Sequence, residues 1–194
     1  MDAMDGLDVT ACEKCPELCA SRSRIVNGVG PADADLLFVG EAPGEQEDRE
    51  GEPFVGRSGD VLDGALRENG LAHADVRITN CVRCRPPDNR DPTDEELTNC
   101  RGYLETEIGA VDPELLVTLG KVPAEHLLDR SVTITDEAGD VVRAELGGAK
   151  RDVLLSVHPA ATLYDPGQRE AFERAIERAA AAVGSGDQAT FGDF

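Results

Sequence analysis

LLFVGEAPGEQEDREGEPFVGRSG, residues 36–59, opens with Leu36-Leu37-Phe38-Val39, an apolar run of the length and type of a buried strand. At Gly40 the pattern breaks into a loop with two prolines, four further glycines and six carboxylates. A loop of this kind at the carboxyl end of a strand is where an open α/β sheet places its ligand. Gly40 and Gly44 let the backbone come close to a flat or charged partner. Phe54, flanked by Pro53 and Val55, is the large aromatic of the loop. Taken alone, the stretch reads equally well as a glycine-rich surface loop pinned by a core phenylalanine.

Outward from this strand the chain alternates between apolar runs and helical patterns. Residues 1–11 are acidic and read as mobile, and Cys12-Glu13-Lys14-Cys15 follows. Ser58 can cap a helix over about 59–69 that stops at Gly70. A second strand, Val76–Cys81, leads into the Pro86-Pro87 loop, and Thr93 with Glu96 makes a capping box for a helix to about Ile108. A third strand spans Glu114–Leu119 and a short helix about 122–129. Val132–Leu146 alternates and turns at Glu137-Ala138-Gly139-Asp140, the signal of a hairpin. Val153–Val157 is a fourth strand ending at His158. A last helix over about 168–183 sets Phe172, Ile176, Ala179 and Val183 on one face, and an acidic tail occupies 184–194. The expectation is one α/β domain, residues 12–183, with a central, mostly parallel four-stranded sheet flanked by helices. Gly40, Asn80, Gly120 and His158 each close an apolar strand, so they should line one rim of that sheet.

At 194 residues and 40% hydrophobic the chain suits a single globular domain. It has no apolar run of membrane-spanning length and no signal-peptide pattern, which points to a cytoplasmic protein with no membrane partner. Six cysteines in that compartment argue for metal ligation or buried thiols over disulfides. The net charge of −20 is unusual: 39 acids face 16 arginines and three lysines. Carboxylates spread over the whole chain with so little lysine fit a protein that works in concentrated salt, which screens its self-repulsion.

Two further stretches join the first: Thr79-Asn80-Cys81-Val82-Arg83-Cys84-Arg85-Pro86-Pro87 and Ser156-Val157-His158-Pro159-Ala160-Ala161-Thr162-Leu163. With the cysteines, these three motifs, in order and from about Cys12 to Arg178, resemble the iron–sulfur class (family 4) of uracil-DNA glycosylases. The resemblance implies hydrolysis of the N-glycosidic bond of uracil in DNA, single or double stranded, by a monomer that starts base-excision repair. The sequence reveals no sliding-clamp partner. Other readings are a metal-clamped module that holds uracil-containing DNA without turnover and, more distantly, a small electron carrier.

Cys12/Cys15 and Cys81/Cys84 are two CxxC knuckles, which by themselves suggest a four-cysteine zinc site. The resemblance instead assigns a [4Fe–4S] cluster to Cys12, Cys15, Cys84 and Cys100, and implies a clamp that positions the Arg85–Pro92 loop on DNA. Cys81 then reads as a buried thiol and Cys19 as a spare. The resemblance also implies a uracil pocket at Gly40, Glu41, Ala42, Phe54, Asn80 and His158. Asn80 would accept from N3–H and donate to O4, Phe54 would stack on the ring, and His158 would donate to O2 as charge develops there. Glu41 or Glu47 would handle the water or the cationic sugar, and Leu163 would wedge into the gap left by the flipped base. Arg57, Arg83, Arg85, Arg90 and Arg101 are candidates for a basic rim. Tyr164 stands where the family often has arginine, which removes one phosphate contact.

The charge balance makes a direct demand. At about 1 M salt the Debye length is ~3 Å and self-repulsion is largely screened. Unfolding free energy should therefore rise from dilute buffer to molar potassium chloride in denaturant titrations. A steady fall over that range would refute the saline reading.

Overall fold

A computed structural model describes residues 3–184. Its centre is a five-stranded sheet in the order β4-β3-β5-β7-β6. The strands are β3 (Leu36–Gly40), β4 (Arg77–Asn80), β5 (Leu115–Leu119), β6 (Val141–Leu146) and β7 (Ala149–Ser156). The first four in spatial order, β4, β3, β5 and β7, are mutually parallel, and β6 adds an antiparallel edge. The expected count of four strands is therefore corrected to five.

The error lay in the turn. The hairpin signal at 137–140 is instead a short helix, α6 (Ile134–Glu137), in which Thr133 N–H donates to the Glu137 carboxylate at 2.9 Å. The hairpin joins β6 to β7 through Gly147-Gly148, both at positive φ (58° and 79°). Two left-handed residues are what a two-residue hairpin turn requires, and 137–140 offers one glycine. The alternation along β6 is real but belongs to an edge strand with one solvated face.

Alternate residues of β3 serve opposite faces. Leu36 and Phe38 pack with helices α3 (Arg57–Glu68) and α7 (Pro166–Gly184) through Leu62, Leu66, Phe172 and Ile176. Leu37 and Val39 pack with α4 (Asp94–Val111) and α5 (Lys121–Leu128) through Leu104, Ile108, Ala124 and Leu127. All four β3 side chains are at most 2% exposed, and each such burial is worth about 1.5–3 kcal/mol. The two-layer cover over a mostly parallel sheet is the architecture expected of alternating strands and helices.

The capping box at Thr93 is formed: Thr93 Oγ1 accepts from Glu96 N at 3.2 Å, and Glu96 accepts from Thr93 N at 2.8 Å. That helix runs to Val111, three residues beyond the expected end. Helix α3 begins at Arg57 after Gly56, so Ser58 lies inside it and is not its cap. The N-terminal stretch expected to be mobile contributes a hairpin, β1 (Ala3–Asp5) and β2 (Asp8–Ala11), whose Val9 is buried. Helix α1 (Pro16–Ser21) follows it, and a short helix α2 (Glu45–Glu50) lies in the loop after β3. The acidic tail expected over 184–194 lies, from residue 185, outside the described residues. Among the described residues, no helix is long and apolar enough to cross a membrane.

A buried ionic network ties the β4 motif to α4. Glu107 is fully buried; it accepts from Arg77 Nε at 2.8 Å, Thr79 Oγ1 at 2.8 Å and Arg83 Nη2 at 2.7 Å. Arg83 also donates to Leu7 O and to Asn27 Oδ1, which itself accepts from Val9 N, so the N-terminal hairpin hangs on the same guanidinium. Removing one partner of such a network leaves buried charge without compensation, at a cost of about 3–5 kcal/mol. Glu107→Ala should lose that much stability in urea unfolding, with Glu107→Gln less affected. A loss under 1 kcal/mol for Glu107→Ala would mean that the network is not load-carrying in solution.

Candidate active site

The parallel register places Gly40 opposite Asn80, and Gly120 N–H donates to Ser156 O at 2.9 Å, just before His158. Pairing continues past the strands, with Cys81 N to Gly40 O at 2.9 Å and Val82 N to Glu41 O at 3.0 Å. The three sequence motifs thereby meet at one rim, as their strand-end residues implied. A cavity of about 280 Å³ there is lined by Glu41, Ala42, Glu47, Phe54, Asn80 and His158, with Gly44, Gln46 and Ser58 also on its wall.

Gly40 lies closely against both the Asn80 side chain and the Phe54 ring. A Cβ there would run into Asn80 Oδ1 and come within 2.6 and 2.8 Å of the Phe54 ring, so no larger residue fits without moving both. Phe54 is 5% exposed and lies in the left-handed region at φ 56°, a conformation that costs a non-glycine residue about 1–3 kcal/mol. Glu47 holds it there. One Glu47 oxygen accepts from Phe54 N–H and the other from Gly44 N–H at 2.5 Å. From the far side, Gly59 lies against the Phe54 carbonyl with no room for a side chain. The Phe54 ring stands 6.1 Å from the His158 ring at 33°.

Asn80 is 3% exposed, and its Nδ2 has no hydrogen-bond partner among the described residues. Buried polar groups are nearly always paired, so an unmet donor in a cavity wall asks for an acceptor from a ligand. His158 Nδ1 accepts from Ala160 N–H at 3.1 Å. The ring proton is therefore on Nε2, and burial pulls the pKa below its ordinary value, which keeps the imidazole neutral at pH 7. Glu41 is pushed up to about 7, first by burial and then by Asp91, whose carboxylate is hydrogen-bonded to it. Burial also raises Glu47, against the pull of the Gly44 and Phe54 amides.

These contacts separate the two carboxylates that the sequence left as alternatives. Both oxygens of Glu47 are occupied by backbone amides, so it fixes the loop. Glu41 keeps a proton that can move near neutral pH. Asp91 was missed by sequence reading, because its link to Glu41 crosses 50 positions with no local pattern. Leu163 ends a 3₁₀ turn, Pro159–Leu163, and is half-buried beside buried Thr162. His73 and His126 lie outside this cavity, His73 paired with Asp63 at 2.7 Å.

The expected basic rim is mostly spent inside the protein. Arg83 is 2% exposed in the Glu107 network, which corrects its reading as a DNA contact. Arg90 pairs with Glu96 at 2.7 Å and Glu17 at 3.0 Å, and Arg101 pairs with Glu105 at 2.7 Å. Arg85 donates to Asn89 Oδ1 at 2.8 Å and lies 3.8 Å from Glu45. Arg57 makes no ion pair among the described residues and is exposed.

None of the six cysteines is in a disulfide. Cys84 and Cys100, with Cys12 and Cys15 packed on them, share a small core with Val9, Leu18, Val82 and Tyr103. Two N–H donors reach their sulfurs: Arg22 Nη1 to Cys84 at 2.9 Å and Asn99 Nδ2 to Cys15 at 3.5 Å. Cys19 Sγ points to Cys12 O at 3.5 Å, and Cys81 belongs to the α4–α5 core with Leu37 and Val39. Among the described residues, no group of three or more His, Cys, Asp or Glu side chains stands ready to hold a metal ion.

The clamp on Phe54 is testable. In Glu47→Gln one of the two amide contacts becomes donor against donor, which should cost about 1–3 kcal/mol and loosen the loop. Thermal unfolding would show it; an unchanged midpoint would release Glu47 from this role.

Comparison with known proteins bears on the same residues. The model of the uracil DNA glycosylase superfamily matches residues 27–180, a span that contains all three motifs. The chain is 41% identical over 179 residues to the type-4 uracil-DNA glycosylase of Archaeoglobus fulgidus, covering 89% of each. It is 38% identical over 192 residues to that of Saccharolobus solfataricus (94% of this chain, 88% of the relative) and 42% identical over 153 residues to that of Thermotoga maritima (78% of each). The chain belongs to the uracil DNA glycosylase superfamily.

Proposed function

We propose that this chain hydrolyses the N-glycosidic bond of uracil in DNA and so starts base-excision repair. The observation that carries the reading is the unpaired, buried Asn80 amide in the wall that also holds Phe54 and His158. A nucleotide flipped out of the stack would bring uracil between them. Asn80 can accept from N3–H and donate to O4; cytosine offers the reverse pattern and would leave buried groups unpaired. The Phe54 ring supplies a stacking face worth about 1–3 kcal/mol.

Cleavage leaves negative charge on O2 of the departing base and positive charge on the sugar. A neutral His158 donating from Nε2 is preorganised for that oxygen, a contribution of about 3–4 kcal/mol to the barrier. Glu41, ionised above about pH 7, is the carboxylate of the pair suited to orient water or stabilise the sugar cation. The test is a uracil-containing oligonucleotide, with free uracil and abasic sites as readouts. His158→Ala should lose about 10²–10³ in rate with binding retained, whereas a non-catalytic module would release no uracil in either form. The wild-type rate should rise with pH through about 7, because the raised pKa holds Glu41 protonated below that point. Glu41→Gln should erase this limb, and an unchanged profile would remove Glu41 from the chemistry.

Cys12, Cys15, Cys84 and Cys100 would hold a [4Fe–4S] cluster, a donor set of four thiolates that suits it. Support comes from their shared apolar core and from the Arg22 and Asn99 donors, since such hydrogen bonds are what electron-rich sulfurs take. When bound, the cluster would clamp the segment of Cys12 and Cys15 to the loop that runs from Cys84 to α4. Protein purified without oxygen should be brown with about four irons. Colourless protein with one zinc would favour the zinc reading, and loss of metal in Cys81→Ala would restore the two-knuckle set.

The same reading carries the salt argument. With its rim arginines paired to its own acids, the enzyme would rely on the pocket more than on phosphate neutralisation, as work in a saline cytoplasm requires.

A further inference from the structure

Five aromatic side chains lie among the described residues, and four of them, Phe38, Phe54, Tyr103 and Phe172, are buried. Tyr164 is 79% exposed. A large ring left in water by a chain so poor in aromatics needs an account, and its place in the fold supplies one. Tyr164 caps the 3₁₀ turn that begins after His158, with its N–H donating to Ala161 O at 3.3 Å. The turn is stiffened by Thr162, which is buried and donates from Oγ1 to Pro159 O at 2.7 Å. At ~2 Å rise per residue, the six steps from His158 set Tyr164 up to about 12 Å from it. That is the length of three to four base steps at ~3.4 Å each, and Tyr164 is not among the residues that line the cavity of Asn80 and His158.

Tyr164 itself offers a phosphate no cation, and the residue next to it is acidic. Asp165 follows directly as an exposed carboxylate that caps α7 by accepting from Gly167 N–H at 2.8 Å. The rim arginines that would track a backbone are mostly paired with Glu17, Glu96, Glu105 and Glu107. What an exposed ring beside a carboxylate offers DNA is its face. Stacking tolerates every base and depends little on salt, whereas each cation–phosphate contact weakens as salt rises.

We propose that Tyr164 is a stacking platform for a base flanking the flipped nucleotide, and that it replaces charge as a source of affinity in molar salt. The proposal rests on DNA being the ligand of the adjacent pocket. Leu163 would fill the gap in the stack while Tyr164, one residue on, continues it.

The test uses the full chain and a single-stranded oligonucleotide carrying 2′-fluoro-2′-deoxyuridine, in which the fluorine disfavours the cationic sugar and blocks cleavage. 2-Aminopurine is placed in turn at each flanking position, and binding is measured from 0.2 to 2 M potassium chloride. Wild-type protein should quench the fluorophore on one flank. Tyr164→Ala should abolish that quench and weaken binding about fivefold to a hundredfold with the salt slope unchanged. Tyr164→Phe should keep both quench and affinity. Tyr164→Arg should bind well in dilute buffer and lose affinity more steeply, its salt slope larger by about 0.7. Unchanged affinity of Tyr164→Ala at 2 M would overturn the proposal. So would a Tyr164→Phe variant as weak as alanine, which would assign the contact to the hydroxyl. Wild-type protein that failed to bind the oligonucleotide at all would sink the glycosylase reading beneath it.

Discussion

The parallel register that sets Gly40 beside Asn80 is the constraint on which the site depends. Strand ends aligned in this way bring three loops, distant in sequence, to one rim. Gly40 then has to lack a side chain, because the Asn80 amide and the Phe54 ring occupy the space a Cβ would need. The ring reaches that position through a left-handed backbone that Glu47 holds from one side and Gly59 accommodates from the other. A half-buried carboxylate, a strained phenylalanine and two glycines are thus parts of one device. It keeps a flat cavity open opposite an unpaired amide.

Electrostatics follow a second constraint, the surplus of acids over bases. Several arginines that could have met DNA are paired with the chain's own acids. Glu107 binds two arginines in the core, Glu96 and Glu17 hold Arg90, and Glu105 holds Arg101. The surface is left with carboxylates and few free cations, a poor match for a polyanion in dilute buffer. Binding that survives in strong salt has to come from contacts that salt does not screen: stacking, amide hydrogen bonds and shape. Phe54, Asn80 and the exposed Tyr164 offer such contacts, and the first two sit in one cavity.

Much of this is legible in the sequence where the signal is local. Leu36–Val39 reads as a buried strand because both its faces are apolar, and the Thr93–Glu96 box reads as a helix start because both its bonds lie within four residues. The pocket residues Gly40, Phe54, Asn80 and His158 came from short motifs whose order matched a family, and the register brings them together. The edge strand was misread because alternation marks a half-solvated strand without saying which turn precedes or follows it; the paired glycines at 147–148 were the better signal. Glu47 read as a candidate, with Glu41, for handling the water or the sugar cation, since nothing local shows that its two oxygens close on Gly44 and Phe54. The internal fate of Arg83 was equally hidden, because its partner Glu107 is 24 residues away on a helix.

We propose that Asn80 reads uracil through its unpaired amide. The most direct measurement is the side-chain ¹H–¹⁵N signal of Asn80 in the intact protein, followed by nuclear magnetic resonance as uracil or cytosine is added. The account predicts that uracil shifts both amide protons of Asn80 while cytosine leaves them in place. Uracil that binds, moving other signals, with the Asn80 amide unmoved, or cytosine that moves it equally, would contradict the account.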